Sequence, residues 1–436
     1  MKINYRGHVL RIRLNGQPDY PWLGIVSVML LIYLSPFTGS VTSFAAFCIC
    51  LFRIVRYDAK VFATDYCLLI PLAQIFFAPG GISFLVFLCI LSSVWFFIKG
   101  GIRANITFIT LIILMDYLLM RMQTNITGFL LCFAQLCVLC VILPEQDQKS
   151  AERTAWYFCI GLIITSVYAL VFRNTWQLRA ILGEEDEAIW GSGIKRFYGL
   201  FMDPNYYMTL ILVGLGLLAK LKNNNTIGVI QFVVLGIVMV FFGVLTYSKM
   251  FLLAFILFGV IYIIWRFRDR KYLFGFFLIL GVLAMIDVLR RLEIGPVEVL
   301  LDRLRGASNL RDLTTGRTVI FQMYLTRITE SVSTFLFGYG LSDAGLFVDT
   351  HNLYLELLYY LGFVGLVLVI AFFASIVYAI NKKADKISVD NAISKYLILF
   401  LLIIVYCSLH GMTQMMFYGG VFLAILSILI VKDSTK

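Results

Sequence analysis

Hydrophobic residues run along this chain in long stretches separated by short polar segments. A stretch of about 20 apolar residues is long enough for a helix that crosses the hydrocarbon core of a bilayer. The pattern therefore predicts an all-α polytopic membrane protein with about 12–14 transmembrane helices. The candidate spans are 21–36, 41–55, 62–78, 81–98, 104–120, 126–143, 154–172, 204–220, 227–246, 250–265, 272–288, 352–380, 396–410 and 416–431.

The composition agrees with this pattern. Of the 436 residues, 61% are hydrophobic and 14% are charged, and the mean hydropathy is +0.91. Soluble globular domains contain roughly 45–50% apolar residues, so a soluble protein is excluded. Fourteen spans of about 20 residues use about 280 residues, which leaves too few for a separate soluble enzyme domain.

The distribution of basic residues predicts the orientation. With the N-terminus in the cytoplasm, 23 of the 36 Lys and Arg residues fall in inside loops, and the short outer connections 37–40 and 79–80 carry none. This is the bias of the positive-inside rule, and it predicts that both termini are cytoplasmic. Four regions follow: N-terminal transmembrane helices in 1–172, transmembrane helices with an outer basic segment in 173–288, an outer loop with amphipathic helices in 289–351, and C-terminal transmembrane helices in 352–436.

Most of the other basic residues lie where topology does not require them. Twelve of these thirteen fall in the outer segment 173–198, at Lys249, or in the outer loop 289–350. Arginine binds phosphate oxygens in a bidentate manner, so we interpret the group as an anion-binding site on the outer face. Contact with lipid headgroups is the alternative for any single arginine. Nucleic acid is not an expected partner.

Two short motifs lie at predicted outer ends of spans. Asp203 followed by Pro204 is typical of an N-cap and a first helical position, which places Arg196 just outside a helix start. Asp203 and Asn205 either only cap this helix or also bind a substrate. Lys249 follows Thr246-Tyr-Ser on an outer turn, where it either snorkels to the interface or binds a substrate.

The outer loop contains Thr314-Thr-Gly-Arg317, and Arg311 lies just before it. A threonine cap would put Arg317 in the first turn of a helix, where free amides and the helix dipole attract anions. The apolar residues that follow recur at helical spacing, which predicts an amphipathic helix on the membrane surface. They are Ile320, Met323, Tyr324, Ile328, Val332 and Phe335.

His351 opens the predicted span 352–380, beside Asn352 and Tyr354. A helix N-terminus disfavours the imidazolium, so the neutral ring can accept a proton. A purely structural histidine is the alternative. Asp203 or Asp349 is the second choice for a general base.

The order of these motifs resembles the O-antigen ligase and polymerase superfamily. The similarity covers about residues 190–370: R-x-x-G-x-F-x-D-P-N from Arg196, a basic residue after Ser248, T-G-R ending at Arg317, and H-N-x-Y-L-x-x-L-x-x-L-G-x-x-G from His351. The resemblance implies a metal-independent, C-class-like glycosyltransferase of the bacterial plasma (inner) membrane, with an active site facing the periplasm or exterior. Its donor would be an undecaprenyl-pyrophosphate-linked oligosaccharide.

The resemblance implies that Arg196, Arg317 and His351 are the functional positions. Lys249 departs from the usual Ser-Arg-Gly, so a point charge replaces a bidentate group there. We expect Arg196, Lys249 and Arg317 to hold the diphosphate while His351 activates the acceptor hydroxyl. No cofactor or metal is expected. A glycan acceptor and the lipid bilayer are expected partners, and a chain-length regulator and a flippase are further ones that the resemblance suggests.

Three functions stay open at this stage. A polymerase for O-antigen, capsule or exopolysaccharide is favoured, and a ligase that transfers glycan to lipid A core in lipopolysaccharide synthesis shares the same motifs. A flippase or transporter is the alternative from another class, because Asp65, Asp116 and Glu356 lie in or near spans, where charged groups are usually functional. The sequence shows no internal repeat of the kind that transporters often have.

Overall fold

The computed structural model describes residues 2–5, 8–11, 21–78, 83–100, 106–122, 136–182, 196–201, 203–248, 250–252, 254–257, 259, 280, 317–340, 350, 352–383 and 422–426. Almost all of these residues are helical. The longer helices are α1 (Trp22–Thr38), α2 (Ser40–Arg56), α3 (Ala59–Leu69), α4 (Phe84–Gly100), α5 (Ile106–Arg121), α6 (Leu136–Glu145), α7 (Gln148–Phe172), α8 (Trp176–Leu182), α9 (Pro204–Asn223), α10 (Val229–Val244), α11 (Arg317–Ile328), α12 (Val332–Phe337) and α13 (Leu353–Lys383).

A short β-hairpin precedes the helices. Strand β1 (Lys2–Tyr5) pairs antiparallel with β2 (His8–Arg11), with Tyr5 opposite His8. Each strand mixes polar and apolar residues, and only Arg6-Gly7 separates them, which is the pattern of a tight hairpin.

The described helices make this a helical membrane protein. Helices α7, α9 and the segment Leu353–Ile380 of α13 are long and apolar enough to cross a bilayer, and α1, α4, α6 and α10 are shorter apolar helices. Large apolar side chains also face outward. Leu23 is 84% exposed and Val41 is 75% exposed. Such extensive apolar surface is stable only against lipid or another protein.

Helix α7 lies at the centre of the packing. It contacts α3, α9 and α10, while α1 packs on α2 and α5 packs on α13. The core between these helices contains large side chains that are fully buried, among them Phe158, Phe201 and Tyr207. Small residues permit the closest contacts: a Cβ on Gly161 of α7 would lie 2.5 Å from the carbonyl oxygen of Leu68.

Helices α7 and α9 run antiparallel, so the bundle has two distinct polar ends. At one end, Arg173 follows α7 and contacts the residues just before α9. At the other, Asn224 follows α9 and donates to Glu152 in α7 at 3.3 Å. Lys60 and Asp147 form an ion pair of 2.6 Å where α3 and α7 begin. Arg196, Asp203, Asn205 and Arg317 lie at the first of these ends.

Helix α13 is broken at Gly362, where φ is +67°. The carbonyl groups of Tyr359 and Tyr360 accept hydrogen bonds from the backbone N–H groups of Tyr339 and Gly340, both at 2.8 Å. The Leu361 carbonyl accepts from the Tyr117 hydroxyl at 2.6 Å. Non-helical backbone at membrane depth is stable only when such partners are supplied. The part after the break is about 31 Å long, enough to cross the bilayer alone.

Several predicted elements need correction. The span predicted at 62–78 is not one helix, because α3 ends at Leu69 and a 3-10 turn follows at Ile70–Leu72. The single amphipathic helix predicted from the apolar spacing is two helices, α11 and α12. Ser331 begins α12 with a capping box, its hydroxyl oxygen accepting from the Thr334 N–H at 3.1 Å. The span predicted at 396–410 and most of the spans predicted at 272–288 and 416–431 lie outside the described residues.

Candidate functional site

The start of α9 forms the base of the candidate site. Asp203 is the N-cap, and its carboxylate accepts a hydrogen bond from the Asn205 N–H at 2.5 Å. Pro204 occupies the first helical position, as predicted. The Asn205 side chain is also engaged, because its carbonyl oxygen accepts from the Ser248 hydroxyl at 3.1 Å. The predicted helix cap is therefore confirmed, and it holds a second motif beside it.

That second motif is the turn after α10. Arg196 Nε donates to the carbonyl oxygen of Thr246 at 3.0 Å, and the Phe197 N–H donates to the carbonyl oxygen of Leu245 at 3.0 Å. Tyr247 has a φ of +48°, an unusual conformation for a bulky residue. The motifs that contain Arg196 and Ser248, distant in sequence, thus meet at one end of the bundle.

Gly199 explains how the segment from Arg196 can lie over α9. It has a φ of +59°, and a Cβ there would lie 2.7 Å from the ring of Tyr207. Tyr207 is buried and donates to the Ser166 hydroxyl of α7 at 2.6 Å. Phe197 packs edge-on against the same ring. A glycine is needed because any side chain would displace this packing.

Arg317 comes from a distant part of the chain to the same place. It is half-buried at the first residue of α11, and burial lowers the pKa of its guanidinium while the nearby Asp203 carboxylate and Tyr206 phenol oppose that shift. Arginine nevertheless stays charged in proteins. Within the described part of the chain, its guanidinium forms no hydrogen bond or ion pair. The described counter-charge nearest to this cation is therefore the Asp203 carboxylate at the start of α9.

Helix α11 also links this site to the start of α13. Tyr324 and Ile328 are buried against Tyr359, with Ile320 and Leu355 at the edge of the same cluster. The rings of Tyr324 and Tyr359 are 5.0 Å apart in an edge-on arrangement. Since Ile320 is one turn from Arg317, this cluster fixes the end of α11 that carries the cation.

A network of polar groups holds the first turn of α13. Glu356 is buried, and its carboxylate accepts from the N–H of Thr350 at 3.2 Å and from the Thr350 hydroxyl at 2.8 Å. The Asn352 side chain caps the helix by accepting from the Leu355 N–H at 3.2 Å. Asn352 therefore has a structural contact, in addition to the substrate contact predicted for it. Tyr354 lies on the exposed side of the same turn.

The structure brings together Arg196, Asp203, Asn205 and Arg317 of the predicted site. Asn352 and Tyr354 belong to α13, which α11 connects to this group. His351, Lys249, Arg311 and Asp349 lie outside the described residues. Among the residues that are described, no group of His, Cys, Asp and Glu is arranged to hold a metal ion.

Two arginines have contacts that the sequence did not reveal. Arg173, expected only as one of the outer cations, donates to the backbone carbonyl of Arg196 at 2.8 Å. Arg121, at the end of α5, donates to the carbonyl of Gly338 at 2.6 Å. Both contacts are to backbone atoms and need no particular partner side chain, so no spacing or motif could have predicted them.

The fold and site together define a helical membrane protein with arginines from separate segments gathered at one end of the bundle. Comparison with family models, curated proteins and solved structures gives no match to this chain.

Proposed function

We propose that this protein is a polysaccharide polymerase of the bacterial plasma membrane. It transfers a glycan from undecaprenyl pyrophosphate onto a sugar hydroxyl of a glycan acceptor at the outer face of the membrane, and the product is O-antigen, capsule or exopolysaccharide. In this proposal the chain crosses the membrane about 12–14 times with both termini in the cytoplasm. The end of the bundle that carries Arg196 and Arg317 faces the exterior.

The observation that carries this proposal is the position of Arg317. A half-buried guanidinium without a hydrogen bond among the described residues lies beside the start of α9, where Arg196 is held through the turn at Thr246. Buried charges are costly unless they are paired, and the nearby Asp203 carboxylate already caps α9, which favours an anionic ligand as a further partner for this guanidinium. The diphosphate of a lipid-linked glycan has the charge and the membrane location to be that ligand.

The chemistry requires this kind of charge. As the acceptor hydroxyl attacks the anomeric carbon, the bond to the lipid diphosphate breaks and negative charge builds on the leaving phosphate oxygens. Arg317 and Arg196, with Lys249, stabilise that charge in the transition state. His351 removes the hydroxyl proton. Asp203 is less suited to be the base, because its carboxylate already caps α9.

The test is elongation of a defined undecaprenyl-pyrophosphate oligosaccharide by the purified protein. Arg317→Ala should lower kcat about 10²–10³-fold, which is the typical loss when one donor to a developing charge is removed. Arg327→Ala is the matched control, since Arg327 lies on the same helix but is exposed and pairs with Glu330 at 3.5 Å. Wild-type turnover by Arg317→Ala would remove Arg317 from the mechanism.

The product of the same assay separates the two glycosyltransferase functions. A ladder of products that stays on the lipid carrier indicates a polymerase, whereas transfer to lipid A core indicates a ligase. We expect the ladder, and we expect it to form in the presence of a metal chelator. Dependence on magnesium would contradict the proposed mechanism.

A further inference from the structure

Arg173 differs from the other arginines near the site because its side chain serves the protein backbone. It follows the last residue of α7, and its Nη1 donates to the carbonyl oxygen of Arg196 at 2.8 Å. Its guanidinium carbon also lies 3.4 Å from the ring centroid of Tyr198 and 5.8 Å from that of Phe197. One side chain therefore contacts three consecutive residues, beginning with Arg196.

The segment that Arg173 holds has little regular structure of its own. Residues 196–198 belong to neither a helix nor a strand, and two hydrogen bonds tie them to the turn after α10. Those two bonds hold the Arg196 side chain and the Phe197 N–H. The Arg173 guanidinium adds a contact to the Arg196 carbonyl and stacks on the ring of Tyr198.

We propose that Arg173 is a positioning residue that holds Arg196 in place for the diphosphate and does not bind the diphosphate itself. This inference rests on the proposed function only for the role of Arg196. The planar guanidinium suits the task, because it can donate to a carbonyl and stack on an aromatic face at the same time. A displacement of about 1 Å at such a group can cost about 10²-fold in rate.

The first test compares Arg173→Ala, Arg196→Ala and the double variant in the elongation assay. If Arg173 acts only through Arg196, the double variant should have the same kcat as Arg196→Ala alone, while Arg173→Ala alone loses about 10- to 100-fold. Additive losses would mean that Arg173 contacts the substrate, and would overturn the proposal. Arg56→Ala is the control, because Arg56 is an exposed arginine in the last turn of α2, next to a loop predicted to be cytoplasmic.

A second test does not need activity. Hydrogen exchange of the Phe197 N–H, which donates to Leu245, should become at least 10-fold faster in Arg173→Ala and change less in Arg173→Lys, which keeps the charge but not the stacked plane. Unchanged exchange would overturn the positioning role. If the wild-type protein has no activity while exchange responds as expected, the proposed function fails and the contact stands. If Arg173→Ala does not fold, Arg173→Lys replaces it in both the elongation assay and the hydrogen-exchange measurement.

Discussion

Two half-buried guanidinium groups at the same end of the bundle have different roles. Arg173 donates to a backbone carbonyl and stacks on Tyr198, whereas the Arg317 guanidinium makes no hydrogen bond to a described residue. The sequence places both among the outer cations, but residue type and topology do not reveal which one donates to the backbone. That distinction depends on which backbone carbonyl groups come within about 3 Å of each guanidinium.

Gly199 sets how closely the Arg196 segment approaches α9. We predict that Gly199→Ala will lower the free energy of unfolding by about 1–3 kcal/mol, as overpacking of a core does. The new Cβ would lie 2.7 Å from the Tyr207 ring, at a φ of +59° that alanine adopts poorly. Thermal unfolding in detergent measures the loss.

Gly236→Ala is the matched control for this substitution. Gly236 lies inside α10, and a Cβ there has no atom within 4 Å. Alanine is the better helix former, so this variant should be at least as stable as wild type. Equal stability of the Gly199 and Gly236 variants would contradict the proposed contact with Tyr207.

At the scale of single elements, local patterns in the sequence predicted helix starts well and helix breaks poorly. The cap at Asp203 and the helix that begins at Pro204 are confirmed, because cap chemistry is set by neighbouring residues. The break at Gly362 was missed within a long apolar run. It depends on a close approach of Gly338, which a Cβ on Gly362 would meet at 2.5 Å, and such a distant contact leaves no local pattern.

The hydroxyl of Tyr117 should stabilise that break. In Tyr117→Phe the Leu361 carbonyl loses its 2.6 Å donor inside a buried region, which typically costs about 1–3 kcal/mol. Tyr378→Phe is the control, because Tyr378 lies on α13, the helix that contains the break, and is 56% exposed. Equal unfolding midpoints for the two variants would show that Tyr117 does not support the break.

At the scale of the whole molecule, hydropathy predicts the class of protein but not the packing of its charges. The inside loops were expected to contain Arg53, yet it lies buried in α2 and pairs with Asp65 of α3 through bonds of 2.7 and 2.9 Å. Its third contact, to the Pro21 carbonyl at 2.8 Å, joins α1 to the same group. Charge counts cannot predict such a pair, because they do not record which helices are neighbours.

This ion pair bears on the transporter alternative, in which Asp65 would be a translocation group. A carboxylate held by two bonds from a buried arginine is suited to joining helices, and Glu356 is likewise engaged, by Thr350. We therefore expect Asp65→Asn to lower the free energy of unfolding by about 3–5 kcal/mol, since it leaves Arg53 buried without its counter-charge. Elongation activity per folded molecule should stay near the wild-type value.

A second variant separates a structural role from a transport role. Replacing both partners, Arg53→Met with Asp65→Leu, removes the uncompensated charge and should recover much of the lost stability, because well-packed apolar pairs often replace buried ion pairs at little cost. Asp116→Asn, on an exposed face of α5, should change neither stability nor elongation. In the transporter alternative, neutral Asp65 would stop movement of lipid-linked glycan across liposomes at unchanged stability, and the double variant would be equally inactive. Unfolding midpoints and liposome transport are therefore measured on Asp65→Asn, the double variant and Asp116→Asn. Together they decide whether Asp65 joins α2 to α3 or takes part in transport of the glycan.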